Sequence, residues 1–357
     1  MKRRWVRWLP AAVVPVVIGA GVLIAPLAAG AADLPAKSPQ EVLALVASSD
    51  TKAFSGTIEQ SSNLGLPTLP NTGPGAGSSS SSQNDASTAL ELLTGSHTAK
   101  VWVDGAAKVR VQVLDQLAER DVIRNGQDVW LYQSTGQKAT HVTLPAHQAK
   151  SVPDAKAPDA SDLTPSALAQ RFLKAADPST SVTLGKNVSV AGRDAYDLVL
   201  TPRASGTLVG SVSIAVDGST GLPLRVQVDA RGQKDPAVEV GFTSFSDQKP
   251  AATVFQFKPA PGATVSEQKL PARGTEKAHG EHPKPVVTGK GWDAIVTLPA
   301  GSAPASLTSS PLFAQLTRAV DGGHALSTSL VSVLVTDDGR VLAGAVPVSA
   351  LQAVAAQ

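Results

Sequence analysis

The chain has 357 residues, with 31 Lys and Arg against 29 Asp and Glu and no cysteine. The absence of cysteine excludes disulfides, thiolate metal sites and a lipobox, so a fold outside the cytoplasm must depend on core packing alone. Four basic residues lie at the N-terminus, and the rest of the chain carries 27 basic against 29 acidic side chains. That balance gives no cationic surplus for nucleic acid, and the length allows one large and one smaller domain.

The N-terminal residues form a predicted export signal. Basic residues between Lys2 and Arg7 precede an uncharged apolar run, Leu9 to Ala29, and then the small residues Ala29-Gly30-Ala31 that signal peptidase requires. The run is long enough to span a membrane, which takes ~20 residues, but its prolines favour cleavage. We therefore expect residues 1–31 to be a signal peptide or N-terminal anchor. The mature part is expected to be extracytoplasmic, either secreted or tethered to the outer face of the cytoplasmic membrane.

A helix and a strand are predicted to open the mature chain. Ser38-Pro39-Gln40-Glu41 is a capping box with proline at the first helical position, and the apolar residues that follow give a helix ending near Ser49. The alternation in Phe54 to Gln60 is typical of a strand. From 67 to 87 the chain is rich in Ser, Gly and Pro, which predicts a flexible loop inside the domain.

The middle of the chain alternates with a period of two, which predicts many antiparallel strands. The first group forms a meander in which Asn125-Gly126 indicates a type I′ hairpin turn. Thr164-Pro165 then begins a second helix, and strands resume as far as Phe255-Gln256-Phe257. The order of helix, strands, helix and strands predicts a β-rich α+β fold with an extended antiparallel sheet.

Four segments carry a resemblance to a known superfamily. They are the first helix leading into Phe54-Ser55-Gly56-Thr57, the paired strands around Trp102 to Gly105 and Asn125 to Trp130, the segment Val216 to Leu224 with its Asp217 turn, and the closing Phe255 to Gly262. On these residues the chain resembles the LolA/LppX/RseB (MucB)-like superfamily of envelope lipoprotein carriers and sigma-factor regulatory proteins. Its Ala- and Val-rich composition is that of an actinobacterial-type member. The resemblance covers about residues 38–268.

The resemblance implies a fold and a ligand. The fold is a half-open antiparallel barrel with a helical lid, in which a concave apolar cavity accommodates lipid acyl chains. The side chains that we expect to line this cavity are Val111, Val113, Ile123, Trp130, Leu198, Ile214, Val226 and Phe242.

A second unit is predicted beyond the half-barrel. Residues 269–290 form a linker, and 291–357 form a small α+β unit in the order β-α-β-β. Ser310-Pro311 begins its helix, whose apolar side includes Val320, and Asp337-Asp338-Gly339 indicates a hairpin turn. A unit of this size is expected to dock on the main domain.

No catalytic or cofactor-binding constellation is found in the sequence. His279 and His282 lie three residues apart in the linker, where a zinc helix needs histidines four apart and a third ligand. Asp337-Asp338-Gly339 lacks the calcium-loop pattern, and neither a Gly-x-Ser-x-Gly elbow nor a nucleotide-binding glycine loop is present. We therefore expect no enzyme, metal or cofactor.

Two tryptophans indicate which faces of their strands are covered. Trp102 shares its strand face with Lys100 and Asp104, which places it on the wet face or the rim. Trp130 lies within the apolar run Val129 to Tyr132, which predicts that both faces of its strand are covered.

The sequence thus favours a non-enzymatic extracytoplasmic carrier of a lipid or lipoprotein acyl chain. Each CH₂ removed from water contributes ~0.8 kcal/mol, so such a carrier needs no polar recognition. The alternative is an RseB-like envelope-stress sensor or scaffold, whose partner is a membrane protein such as a transporter or an anti-sigma factor.

Overall fold

The computed structural model describes residues 34–66, 95–115, 118–144, 164–175, 179–269, 285–303 and 308–357. The predicted export signal, the Ser/Gly/Pro-rich loop and the two histidines at 279 and 282 lie outside these residues. Within the described ranges, no helix is long and apolar enough to cross a membrane.

Thirteen strands form the main sheet. Their bounds are β1 Ala53–Ser62, β2 Gly95–Asp104, β3 Lys108–Asp115, β4 Ala118–Asn125, β5 Asp128–Gln133, β6 Lys138–Thr143, β7 Thr180–Leu184, β8 Val188–Val190, β9 Arg193–Pro202, β10 Val209–Asp217, β11 Pro223–Ala230, β12 Val238–Ser246 and β13 Thr264–Lys269. Their order is β13-β6-β5-β4-β3-β2-β1-β12-β11-β10-β9-β7, with β8 paired to β9. The two ends do not meet, so the sheet is open. The predicted β-rich α+β class with a half-open antiparallel sheet is confirmed, although β13 pairs parallel to β6.

Among the described residues, two helices pack against this sheet, and both begin where the sequence predicts. The helix α1 spans Pro39–Ala47, and Ser38 and Glu41 form both hydrogen bonds of the capping box. The helix α2 spans Pro165–Ala175, and the hydroxyl of Thr164 accepts a hydrogen bond from the backbone N–H of Ala167 at 3.2 Å. The helix α1 contacts β7 and β9, and α2 contacts β11 and β12, so both lie over the same half of the sheet.

Two local predictions in the main sheet are wrong. The β4–β5 turn is centred on Gly126 and Gln127, and φ is positive only at Gly126, whereas a type I′ turn needs two such residues. Phe255-Gln256-Phe257 is not a strand, because Ala252–Phe255 forms a 3-10 helix that crosses the sheet instead of joining it. We call residues 247–263 the strap, since they run across β3 and β4 and deliver β13 to the far edge.

A second, six-stranded sheet contains the C-terminal residues. Its strands are β14 Val286–Thr288, β15 Ile295–Leu298, β16 Arg318–Val320, β17 Gly323–Ser327, β18 Ser332–Thr336 and β19 Val341–Gly344, in the order β14-β15-β19-β18-β17-β16. The helix α3 spans Pro311–Leu316 and α4 spans Val348–Ala355. The predicted β-α-β-β order therefore misses three short strands, and Val320 lies in β16 because the helix ends four residues earlier.

The C-terminal sheet docks on the main one, as its small size predicts. Leu330 is only 4% exposed and belongs to the apolar core of the main sheet. The indole N–H of Trp292 donates to the Thr180 hydroxyl at 2.8 Å, and the carbonyl of Ala345 accepts from the backbone N–H of Leu208 at 2.7 Å. These contacts fix the second sheet against one end of the first.

Candidate functional site

The main sheet has one apolar face. Strand register places Ile58 opposite both Ala99 and Phe242, and Ile214 opposite both Leu198 and Val226. Because side chains alternate across a strand, these residues and their neighbours two positions away lie on one side of the sheet. We call this side the apolar face and the other, which the strap crosses, the strap face.

The structure divides the eight residues predicted to line a cavity between the two faces. Six lie on the apolar face within one core cluster, namely Val111, Val113, Leu198, Ile214, Val226 and Phe242. Ile123 and Trp130 face each other across β4 and β5, but Ile123 pairs with Arg110, which places both on the strap face. A shift of one residue along a strand moves a side chain to the opposite face. Their chain neighbours Val122 and Leu131 lie on the apolar face instead.

The six residues on the apolar face are packed, not open. Each is at most 7% exposed, and the cluster includes Val42 of α1, Ala169 of α2 and Leu330 of the C-terminal sheet. Burial of such a side chain contributes ~1.5–3 kcal/mol. This part of the apolar face is therefore the core of the fold.

The apolar face continues beyond the helices that cover it. Val111 pairs with Val122, which pairs with Leu131, and Val129 pairs with Val142. These four residues of β4 to β6 are only partly buried, and Leu131 is 43% exposed. The prediction that both faces of β5 are covered is therefore wrong at Leu131, because α1 and α2 make their main contacts with the other half of the sheet.

A histidine is buried within the apolar face. His97 lies opposite Gln60 and is 6% exposed. Burial, aided by the positive charge of Arg120, lowers the pKa of His97 to about 3. The imidazole is therefore neutral at physiological pH, as an apolar surface requires.

The strap face carries a buried ion pair. A terminal nitrogen of the Arg110 guanidinium donates to Asp121 at 2.6 Å, and the other donates to the carbonyl of Val254 in the strap at 3.3 Å. Burial raises the pKa of Asp121 above its ordinary range even though Arg110 opposes the shift. The same guanidinium lies 5.7 Å from the ring centre of Trp102, which is half-buried on this face. The pair thus ties the strap to β3 and β4.

Near the far end of the strap, an aromatic cleft opens on the same face. Its volume is about 320 Å³, and its lining residues are Asn125, Asp128, Trp130, His141, Phe255, Gln256 and Phe257. The ring of Trp130 stacks on His141 with centres 4.3 Å apart, and Phe257 of the strap lies 5.3 Å from Trp130. Two aromatic rings and several hydrogen-bonding groups therefore meet in one small space.

His141 is held between two carboxylates in this cleft. Its Nε2 lies 2.9 Å from Asp128, and its Nδ1 lies 2.9 Å from Glu267 of β13. Burial disfavours the charge on His141, but the two carboxylates outweigh it and raise the pKa of the imidazole. No local sequence pattern indicates this group, because its members come from three strands that only the tertiary fold brings together.

No group of three or more His, Asp or Glu side chains in the described ranges could hold a metal ion. A second cleft, of about 330 Å³, lies between β8 and β12, and its charged lining residues are Glu59, Arg225 and Glu239.

The chain is similar to several solved structures. No protein-family model matches it, and no curated protein matches it. One match is a chain in the complex of MucA and MucB from Pseudomonas aeruginosa, which is 18% identical to this chain. The match covers 89% of this chain and 96% of that chain, with a TM-score of 0.42. An uncharacterized conserved protein from Thermus thermophilus is 12% identical over 64% of this chain and 98% of that one, with a TM-score of 0.34. A LolA-superfamily protein from Nitrosomonas europaea is 10% identical over 62% of this chain and 99% of that one, with a TM-score of 0.23.

Proposed function

We propose that this chain is a non-enzymatic extracytoplasmic binding protein that takes an acyl chain of a lipid or lipoprotein on its apolar face. The observation that carries the proposal is the continuation of that face over β4 to β6, away from the main contacts of α1 and α2, where Leu131 is 43% exposed. Val122 lies opposite Leu131 on β4, Val129 lies two positions along β5, and Val142 lies opposite Val129 on β6; all three are partly buried, and Thr140 lies opposite Leu131 on β6. An apolar strip of this kind is continuous with the core at Val111.

The strip suits a hydrocarbon chain on physical grounds. Each CH₂ buried there contributes ~0.8 kcal/mol, so about ten of them would offset the several kcal/mol lost on association. Of the six predicted cavity residues on the apolar face, Val111 borders this strip through its pair with Val122, and the others belong to the core beside it. No acid, base or nucleophile is needed, because the ligand is held by burial alone.

The experiment compares two charge substitutions on opposite faces of one sheet end. Val265 is 46% exposed, similar to Leu131, but it pairs with Ala139, which pairs with Tyr132 on the strap face. Protein purified from its native host is extracted with organic solvent, and the bound lipid is measured by mass spectrometry. We expect lipid with the wild-type chain and Val265→Asp, and its loss with Leu131→Asp. Absence of lipid from the wild type, or equal loading of all three proteins, would contradict the proposal.

A second candidate function is that of a sensor or scaffold that binds a membrane protein. The observation in its favour is β14, the edge strand of the C-terminal sheet, where Val286 is 61% and Val287 is 50% exposed. An exposed apolar edge can accept a strand from a partner. Val287→Lys should then abolish capture of the partner while leaving lipid loading unchanged; a loss of lipid with intact partner capture would reject this alternative.

A further inference from the structure

The aromatic cleft on the strap face is a small chamber on the side of the sheet opposite the apolar strip. Its floor is formed by Trp130 and His141, and the strap forms a wall with Phe255, Gln256 and Phe257. Its volume of about 320 Å³ is at the lower limit of small-molecule sites, which run from ~300 to ~1,000 Å³. A single ring of moderate size fits, whereas a folded partner does not.

The charges of the cleft exclude anions. Asp128 and Glu267 flank His141, so the group carries one net negative charge when the imidazole is protonated and two when it is not. A phosphate or carboxylate ligand would face like charge in either state. Side chains that could offset this repulsion, Lys or Arg, are not among the residues that line the cleft.

The stacking geometry also disfavours an organic cation. A cation binds over the face of an aromatic ring, but the imidazole of His141 already lies parallel to Trp130, with an interplanar angle of 15°. With both ring nitrogens bonded to carboxylates, His141 itself occupies the position that a bound ammonium group would take. A ligand cation would therefore find this face of Trp130 and one oxygen of each carboxylate already occupied.

A wholly apolar ligand is disfavoured as well. The side chains of Asn125, Asp128 and Gln256 are exposed at the cleft, and burying them without partners would cost ~1–3 kcal/mol each. Together they offer two amide groups and a carboxylate, which can both donate and accept hydrogen bonds. The ligand that satisfies both walls has an apolar ring face and a rim of neutral hydroxyl groups.

We propose that this cleft binds one pyranose ring of a neutral saccharide. The partly exposed ring of Phe257 takes the C–H face of the sugar, and Asp128, Asn125 and Gln256 bond its hydroxyls. His141 is a positioning residue, because its Nε2 fixes one oxygen of Asp128 and leaves the other for the ligand. The site goes beyond the acyl-chain function and lies on the other face of the sheet.

Saturation-transfer NMR on the full chain tests the proposal. The probes are the methyl glycosides of glucose, mannose, galactose and N-acetylglucosamine, with tetramethylammonium as the cationic comparison. We expect at least one glycoside to bind with a Kd on the order of 1 mM, since one small ring makes few contacts. Binding of tetramethylammonium in place of every glycoside, or no transfer to any glycoside, would overturn the assignment.

Two variants and a control locate the site. Asp128→Ala should raise the Kd for the glycoside about tenfold, as expected for loss of a hydrogen bond to a charged group. Gln256→Ala alters only an exposed side chain of the strap, so it keeps the test decisive if Asp128→Ala disturbs the fold. Asp50→Ala removes a surface carboxylate outside the cleft, which is 80% exposed, and should leave glycoside binding unchanged. Equal transfer in all three variants would place the binding outside the cleft and reject the proposal.

Discussion

Arg193 holds Asp217 through both oxygens of its carboxylate at the turn between β10 and β11. The guanidinium Nε donates to one oxygen and Nη2 donates to the other at 3.2 Å. The second oxygen also accepts from the backbone N–H groups of Ser219 and Thr220 at 2.9 and 2.7 Å. Asp217 is 1% exposed, so this carboxylate organises the turn from within the fold.

Asp217→Asn should destabilise the protein. The amide keeps the shape of the carboxylate but removes the charge that pairs with Arg193, and breaking a buried pair costs ~3–5 kcal/mol when one partner is deleted. Because the amide oxygen still accepts some hydrogen bonds, we expect the free energy of unfolding to fall by ~2–3 kcal/mol. Urea unfolding measures it, with exposed Asp50→Asn as a control that should remain within ~0.5 kcal/mol of wild type. Equal stability of the two variants would show that the ion pair is not structural.

Gly221→Ala should cost more than the same change at Gly232. Both glycines have positive φ, +72° and +78°, where alanine is disfavoured by ~1–2 kcal/mol. A Cβ at Gly221 would also lie 2.3 Å from the carbonyl oxygen of Leu45 in α1, whereas one at Gly232 meets nothing within 4 Å. We expect the free energy of unfolding to fall by ~3 kcal/mol or more for Gly221→Ala and by ~1 kcal/mol for Gly232→Ala. Thermal unfolding of both variants measures the difference, and similar values would mean that α1 moves freely.

Leu330→Ala should weaken the docking of the C-terminal sheet on the main sheet. This side chain belongs to the core of the main sheet, and truncating a buried leucine costs ~2–5 kcal/mol. Limited proteolysis should therefore cut the chain between the two sheets faster than in the wild type. Val287→Ala is the matched control, because that side chain is 50% exposed. Unchanged proteolysis of Leu330→Ala would mean that other contacts suffice for docking.

His97 should make stability depend on pH in the acid range. Its pKa is about 3 in the folded state and ~6.5 in the unfolded chain. As the pH falls below ~6.5 the unfolded state binds a proton that the folded state does not, so stability decreases until the pH reaches about 3. His97→Gln removes this proton uptake. Unfolding measured between these two values should show a smaller decrease for the variant, and identical slopes would contradict the burial of a neutral imidazole.

Local structure was predictable where a few adjacent residues determine it. The capping box at Ser38, the Thr164-Pro165 helix start and the β2-to-β6 meander all follow from short patterns, and the structure confirms them. The Phe255 segment was not predictable in this way. Its apolar residues suit a strand, but it crosses the strap face instead of joining a neighbour, and the sequence does not encode which neighbour is available.

The sequence by itself determined the β-rich class and the apolar character of the main sheet, because composition and a period of two are local properties. The export signal stays a prediction. Only the tertiary structure decided which face each apolar side chain occupies. Ile123 and Trp130 share the strap face, whereas Val122 and Leu131 lie on the apolar face. The reason is register: a difference of one position reverses the face, and register is fixed by hydrogen bonds between strands. The same long-range pairing brought His141, Asp128 and Glu267 together from three strands.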